Sequence, residues 1–189
     1  RAFESESQDP QELARAQRER GWSLYGAGDL EAAQAAFDEA IRLDPCDHDA
    51  HYGRGVVRSA AGQHQAALAD LDAALALRPR FPAAIAERAY ALERQGNWQD
   101  ALGEYDHALS LDPACAVAHR NKADLLARME RWREALAHAD LAVRLDPQPD
   151  ALLVRGKARL QAGDDQVAFD DLSACLDCER QGEWAREAR

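Results

Sequence analysis

The chain has 189 residues, 34 of them acidic and 23 basic, for a formal net charge of −11. That sign excludes the broadly basic face that phosphate backbones demand, although it leaves room for a local basic patch. Hydrophobic residues, chiefly alanine and leucine, make up 47% of the chain, yet no apolar run reaches the roughly 18 residues needed to span a bilayer and no signal peptide is legible.

In chain order, residues 1–9 read as a polar N-terminal segment that begins at Arg1 without a methionine, as expected of an excised or processed fragment. Asp9-Pro10-Gln11-Glu12 then carries the signals of a helix start: a capping aspartate, proline in the first turn, and glutamate three residues after the cap. The first helix is expected to run to about Gly26, with a partner over 30–43. Further pairs follow at about 48–61 with 64–77, 82–95 with 98–111, 116–129 with 132–145, and 149–162 with 165–178. Each of the first four pairs ends on LDP or LRP, at Pro45, Pro79, Pro113 and Pro147, 34 residues apart. Proline there stops a helix, because it restricts the residue before it and has no N–H to donate. Upstream of each stop lie two alanines seven apart: Ala33 and Ala40, Ala67 and Ala74, Ala101 and Ala108, Ala135 and Ala142.

A 34-residue period with small residues, aromatics and a closing proline at fixed places resembles the tetratricopeptide repeat (TPR). First helices carry a small residue at Gly21, Gly55, Ala89, Ala123 and Gly156. Turn glycines follow at Gly28, Gly62, Gly96 and Gly163, and second helices carry Phe37, Leu71, Tyr105 and Leu172 between the alanines. The fourth repeat departs, with Glu130 for the turn glycine and Ala139 for the bulky residue. The fifth starts one residue early, has Cys175 for its second alanine and lacks the closing proline. The resemblance implies an all-α fold: a right-handed α-solenoid of five antiparallel helix pairs over residues 10–180, with repeats at about 14–47, 48–81, 82–115, 116–148 and 149–180. Residues 181–189 read as the start of a C-terminal capping helix or as a truncated sixth repeat.

The small residues admit close approach of the paired helix. Leu24, Leu92 and Leu126 are expected to fill the space beside them, and Trp98 and Trp132 to plug the joints between pairs. A basic residue precedes each small one, at Arg20, Arg54, Arg88, Lys122 and Arg155. Eighteen residues after the first four stands an acid, Asp38, Asp72, Asp106 or Asp140, and the regular spacing suggests an ion pair within each hairpin. Such a pair fixes register more than it adds stability.

No reaction chemistry is legible. The chain has no threonine, six scattered serines, two lysines, no GxxxxGK[ST] loop and no HExxH. Neither an enzyme nor a cofactor is expected. Cys46, Cys115, Cys175 and Cys178 do not form a disulfide framework, and one CxxC supplies only half of a usual metal site. His48 and His51, beside Asp47 and Asp49, read as a solvated helix start rather than a metal site.

Function is then expected on a surface. In proteins of this resemblance the first helices line a concave groove, and residues three before, one after and four after the small residue face it. That stripe contains Arg18, Trp22 and Tyr25 in repeat one and Tyr52 in repeat two. Repeat three gives Ala86, Tyr90 and Glu93, with Arg94 next to the stripe. Repeat four offers Arg120 and Asp124 with Arg128 beside them, and repeat five offers Lys157. Aromatic and arginine side chains are the usual anchors of interfaces. The implied role is a non-enzymatic scaffold or adaptor that takes a peptide or partner protein with apolar and acidic residues. Nucleic acid and a membrane span are not expected. The alternative is a homo-oligomer assembled through the ends of the array. Family members that grip a chaperone's terminal carboxylate use lysine and asparagine at stripe sites. Here Arg18, Trp22, Tyr52 and Val56 stand instead, so that motif is absent.

Overall fold

The computed structural model describes the backbone of residues 9–187 and the side chains of residues 9–177. Among the described residues every regular element is a helix. In order they are α1 (Pro10–Gly26), α2 (Leu30–Leu43), α3 (His48–Ala60), α4 (His64–Leu77), α5 (Pro82–Arg94), α6 (Trp98–Leu111), α7 (Ala116–Arg128), α8 (Trp132–Leu145), α9 (Pro149–Ala162) and α10 (Asp165–Glu187). The chain divides into two compact units, Arg1–Ala84 and Ile85–Arg189, with the boundary inside α5. In unit 1, α1 packs on α2, α3 on α4, and α2 on α3. In unit 2, α6 packs on α7, α7 on α8, α8 on α9, and α9 on α10. The first helices of neighbouring repeats also touch, α1 with α3 in one unit and α7 with α9 in the other.

Local chemistry sets the helix ends. Asp9 caps α1 by accepting from the Gln11 N–H, and Asp29 caps α2 by accepting from the Ala32 N–H. Asp47 caps α3 with two bonds, from Asp49 and Ala50. The aspartates of two LDP stops have a second use. Asp44 and Asp112 leave the helix in extended geometry, and their carboxylates accept from Cys46 and Ala114 two residues on, which turns the chain toward the next helix.

The hairpin register is measured by a steric pair sixteen residues apart. A Cβ built on Gly21 would lie 2.8 Å from the Phe37 ring, one on Gly55 2.9 Å from Leu71, and one on Gly156 2.9 Å from Leu172. Each small residue is therefore the seat of its own hairpin's bulky residue. Phe37 and Tyr105 are fully buried in these positions.

The same ruler corrects the expected ion pairs. Within three of the hairpins, the basic residue pairs with the acid sixteen residues later, not eighteen. Arg54 grips Asp70 at 2.6 Å, Arg88 grips Glu104 at 2.7 Å and Arg155 grips Asp171 at 2.6 Å. Three of the acids named from the sequence reach the following repeat instead. Asp38 meets Arg54 at 2.7 Å, Asp106 meets Lys122, and Asp140 stands 3.6 Å from Arg155. One cation thus ties its own second helix to the one before it.

Glu130 occupies the turn position where other repeats have glycine and holds the same left-handed backbone, φ 58° against 86° at Gly96. The repeat keeps its turn at a steric cost of about 1–2 kcal/mol. Trp98 does not plug a joint: it is 43% exposed. Trp132 lines a depression of about 460 Å³ with Leu136 of α8 and with Ala158 and Ala162 of α9. The expected break near residue 180 is not seen in the backbone, where α10 is continuous from Asp165 to Glu187. The side chains of the expected cap or truncated repeat over 181–189 lie outside the described residues, as do the polar segment over 1–8 and the side chain of Cys178. Cys46 is exposed and free, and Cys115 and Cys175 are buried and not disulfide-bonded.

Candidate functional site: the first-helix faces

In unit 1 the first-helix residues form an aromatic chain. Trp22 meets the Phe37 ring edge-on at 5.3 Å between centroids, Tyr25 at 6.0 Å and Tyr52 at 5.7 Å. Tyr52 passes the contact on to Phe81 at 4.9 Å. Phe37 and Phe81 are buried, whereas Trp22, Tyr25 and Tyr52 remain partly exposed. The three sequence-predicted aromatics of this unit are therefore brought together, and each is half floor and half surface. Such contacts add about 0.5–1.5 kcal/mol beyond burial.

Arg18 borders this patch but is not a free cation. It donates to the buried Asp47 carboxylate at 2.7 Å and lies 3.8 Å from Asp49. Asp47 is the cap of α3, so Arg18 fastens α1 to the start of the next hairpin. His48 and His51 are structural: His48 meets the Phe81 ring edge-on, and His51 Nε2 lies 3.1 Å from the Pro45 carbonyl.

Unit 2 presents a different face. Glu87 and Glu93 of α5 are buried. Burial pushes both carboxyl groups above the ordinary carboxylate range, with Arg120 opposing the shift at Glu87 and Arg128 opposing it at Glu93. Tyr105 of α6 donates its hydroxyl to Glu93 Oε2 at 3.3 Å, and Arg128 of α7 approaches Glu93 Oε1 at 3.3 Å. Arg128 is held more closely by Asp124, at 2.8 Å one turn away on α7. Burial and the neighbouring Glu93 push the Tyr105 hydroxyl well above its ordinary pKa, so it stays a donor. Tyr90 is half-buried beside this cluster, and Arg94 and Lys157 are exposed. Within the expected basic stretch, Arg128 is paired with Asp124 and Glu93. The stripe pattern includes Glu93 and Asp124, with Arg128 beside it, but misses Glu87. The signal for it is two carboxylates, Glu87 and Glu93, on a helix whose other inward residues are Ala84, Ile85, Ala86, Ala89 and Ala91.

A histidine pair lies deeper in unit 2. His119 Nε2 points at the Pro113 carbonyl at 3.0 Å, repeating the His51–Pro45 contact two repeats later. That bond uses the His119 proton, so His119 Nδ1 accepts from His138 Nδ1 at 2.9 Å. His138 stands sixteen residues after Lys122, where three other hairpins have Asp70, Glu104 and Asp171. Burial, Lys122 and His119 together push its pKa down to about 4. Among the described residues no group of three or more His, Cys, Asp or Glu is placed to hold a metal ion, and no helix is long and apolar enough to cross a membrane.

These hairpins, with a small residue seating a bulky one sixteen positions on and first helices touching first helices, define an α-solenoid of helical repeats. The tetratricopeptide repeat family model matches at residues 18–82, 58–114, 86–148 and 120–183, and the chain belongs to that family. Solved structures with the same fold include TTC0263, a thermophilic TPR protein of Thermus thermophilus, at a TM-score of 0.79 and 19% identity over 93% of this chain and 97% of that one. PilF of Pseudomonas aeruginosa aligns at a TM-score of 0.72 and 20% identity over 88% and 78%. YrrB, described as a TPR protein with an unusual peptide-binding site, aligns at 0.53 and 22% over 93% and 91%. At these identities the likeness is one of fold. No curated protein matches the sequence. The chain is a protein-interaction repeat scaffold, built on a fold that is generally non-catalytic.

Proposed function

We propose that the protein is a non-enzymatic adaptor that takes a peptide segment of a partner on its first-helix faces, with apolar partner residues received by unit 1. The observation that carries this reading is the joined patch of Trp22, Tyr25 and Tyr52, which leaves three large aromatic side chains partly in water on adjacent first helices. A side chain that was only core would be covered completely, as Phe37 is. Aromatic anchors of this kind commonly contribute about 2 kcal/mol or more each at a hot spot. The acidic partner expected from the sequence is less well supported, because Arg18, Arg120 and Arg128 already face acids of this chain. The peptide-binding site printed in the description of YrrB lends the reading an analogy of fold only.

Selection of a random peptide display library on the full chain tests it. Enriched peptides should carry apolar or aromatic residues, and Tyr25→Ala should weaken them about 30-fold while far-ultraviolet circular dichroism stays unchanged. Absence of enriched peptides, or equal binding by the variant, removes the patch from the site. Trp22→Ala is the poorer probe, because Trp22 also packs on the fully buried Phe37 and its loss costs stability.

A further inference from the structure

The chain shows in two places how it seals a buried acid. Asp70 accepts from Arg54 Nε at 3.0 Å, Arg54 Nη2 at 2.6 Å and Arg58 Nη1 at 2.8 Å. Asp171 accepts from Arg155 at 2.6 and 3.0 Å and from Arg159 at 2.7 Å. Each buried carboxylate has two guanidinium groups and short bonds.

Glu93 is as deeply buried, with its side chain 1% exposed, and is not sealed in this way. Its Oε2 has one long bond from Tyr105, and its Oε1 has no hydrogen-bond partner. The guanidinium in reach, Arg128, is shared with Asp124, which holds it closer. Two carboxylates thus divide one guanidinium, and the geometry leaves Glu93 Oε1 short of a donor. A buried oxygen without a donor is destabilising, more so when it is charged. Arg128 is itself 43% exposed, so the group covering Glu93 is a surface group that can be moved aside or joined. Arg94 lies in solvent and is the weakest of the influences on Glu93.

We infer that Glu93, with Asp124, forms a cation subsite on the first-helix face of unit 2 that receives a lysine or arginine side chain of the bound peptide. The inference rests on the peptide-binding reading above and adds a requirement to it. The incoming cation donates to Glu93 Oε1 and shares Asp124 with Arg128, adding the second cation that Glu93 lacks and that Asp70 and Asp171 each have. Charge complementarity decides the occupant, because an acidic side chain at this place would face two carboxylates.

A peptide array of random sequences, probed with the full chain and with Glu93→Gln, tests the subsite. Wild-type protein should select peptides with a lysine or arginine at one defined position in addition to the apolar residues. Glu93→Gln should weaken those peptides about tenfold or more and remove the preference at that position, while binding through the apolar residues persists. Asp124→Asn, at a more exposed site, serves as the second variant and should reduce the same preference by a smaller factor. Peptides selected without a basic residue, or a preference unchanged in both variants, overturn the subsite and leave peptide binding standing. A chain that selects no peptides overturns both.

Discussion

Unit 1 and unit 2 are built on the same 34-residue pattern and fill one of its positions with different chemistry. In unit 1 the bulky residue of repeat one is Phe37, clamped between Gly21 and Gly53, and the first helices above it are aromatic. In unit 2 the residue two repeats later is Tyr105, and its single added hydroxyl reaches a buried glutamate. Phe37 needs no polar partner, and the buried cluster around it is apolar. A phenol lets unit 2 keep an acid beneath its surface. The comparison teaches that the repeat fixes where side chains sit and leaves their chemistry free, so recognition can differ from one repeat to another on one scaffold.

The comparison can be broken at its apolar end with the largest effect. Phe37→Ala empties a site with no exposure and should cost about 3–5 kcal/mol, read as a lower midpoint in urea unfolding. Gly53→Ala attacks the same clamp from the other side, because its Cβ would meet a ring already held against Gly21. It should cost about 1–3 kcal/mol, and an unchanged midpoint would mean that the ring has room to shift.

In unit 2, Tyr105→Phe makes the two bulky sites alike. It should cost about 1–2 kcal/mol by leaving Glu93 Oε2 without its donor, and the loss should shrink when Glu93→Gln is added. Glu130→Gly should stabilise by about 1 kcal/mol by relieving the left-handed turn, which calorimetry reads as a rise of roughly 2–4 °C.

Acid acts on unit 2 with two signs. The folded pKa of His138 is depressed to about 4 from 6.5, so the unfolded chain binds the extra proton between those values. Its contribution is present above pH 6.5 and is lost as pH falls toward 4. Glu87 and Glu93 have raised folded pKa values, so the folded state binds their protons first, and they oppose that loss as pH falls. Replacing His138 with Phe should flatten the acid limb of the melting curve, and replacing Glu87 with Gln should steepen it.

Much of the fold was readable because periodicity, caps and stops are local. Asp9, Pro10, the LDP stops and the turn glycines act within a few residues, and the helix limits follow from them. The ion pairs were misread because spacing eighteen and spacing sixteen both place an acid near a cation. Only the steric pair Gly21–Phe37 reveals which one the hairpin uses. The aromatic patch was legible, since Trp22, Tyr25 and Tyr52 occupy fixed places around small residues. The burial of the acids was not: the stripe names Glu93 but treats it as surface, and it misses Glu87 altogether. Trp98 was misjudged for a related reason: a large apolar residue at a helix start is free to remain exposed.

The most direct test of the central claim is amide NMR of the labelled full chain titrated with a library-selected peptide. First-helix recognition predicts that shifts concentrate in α1 and α3 around Trp22, Tyr25 and Tyr52, and in unit 2 around Glu93 and Asp124. Shifts confined to the second helices, on α2, α4, α6 or α8, would contradict it.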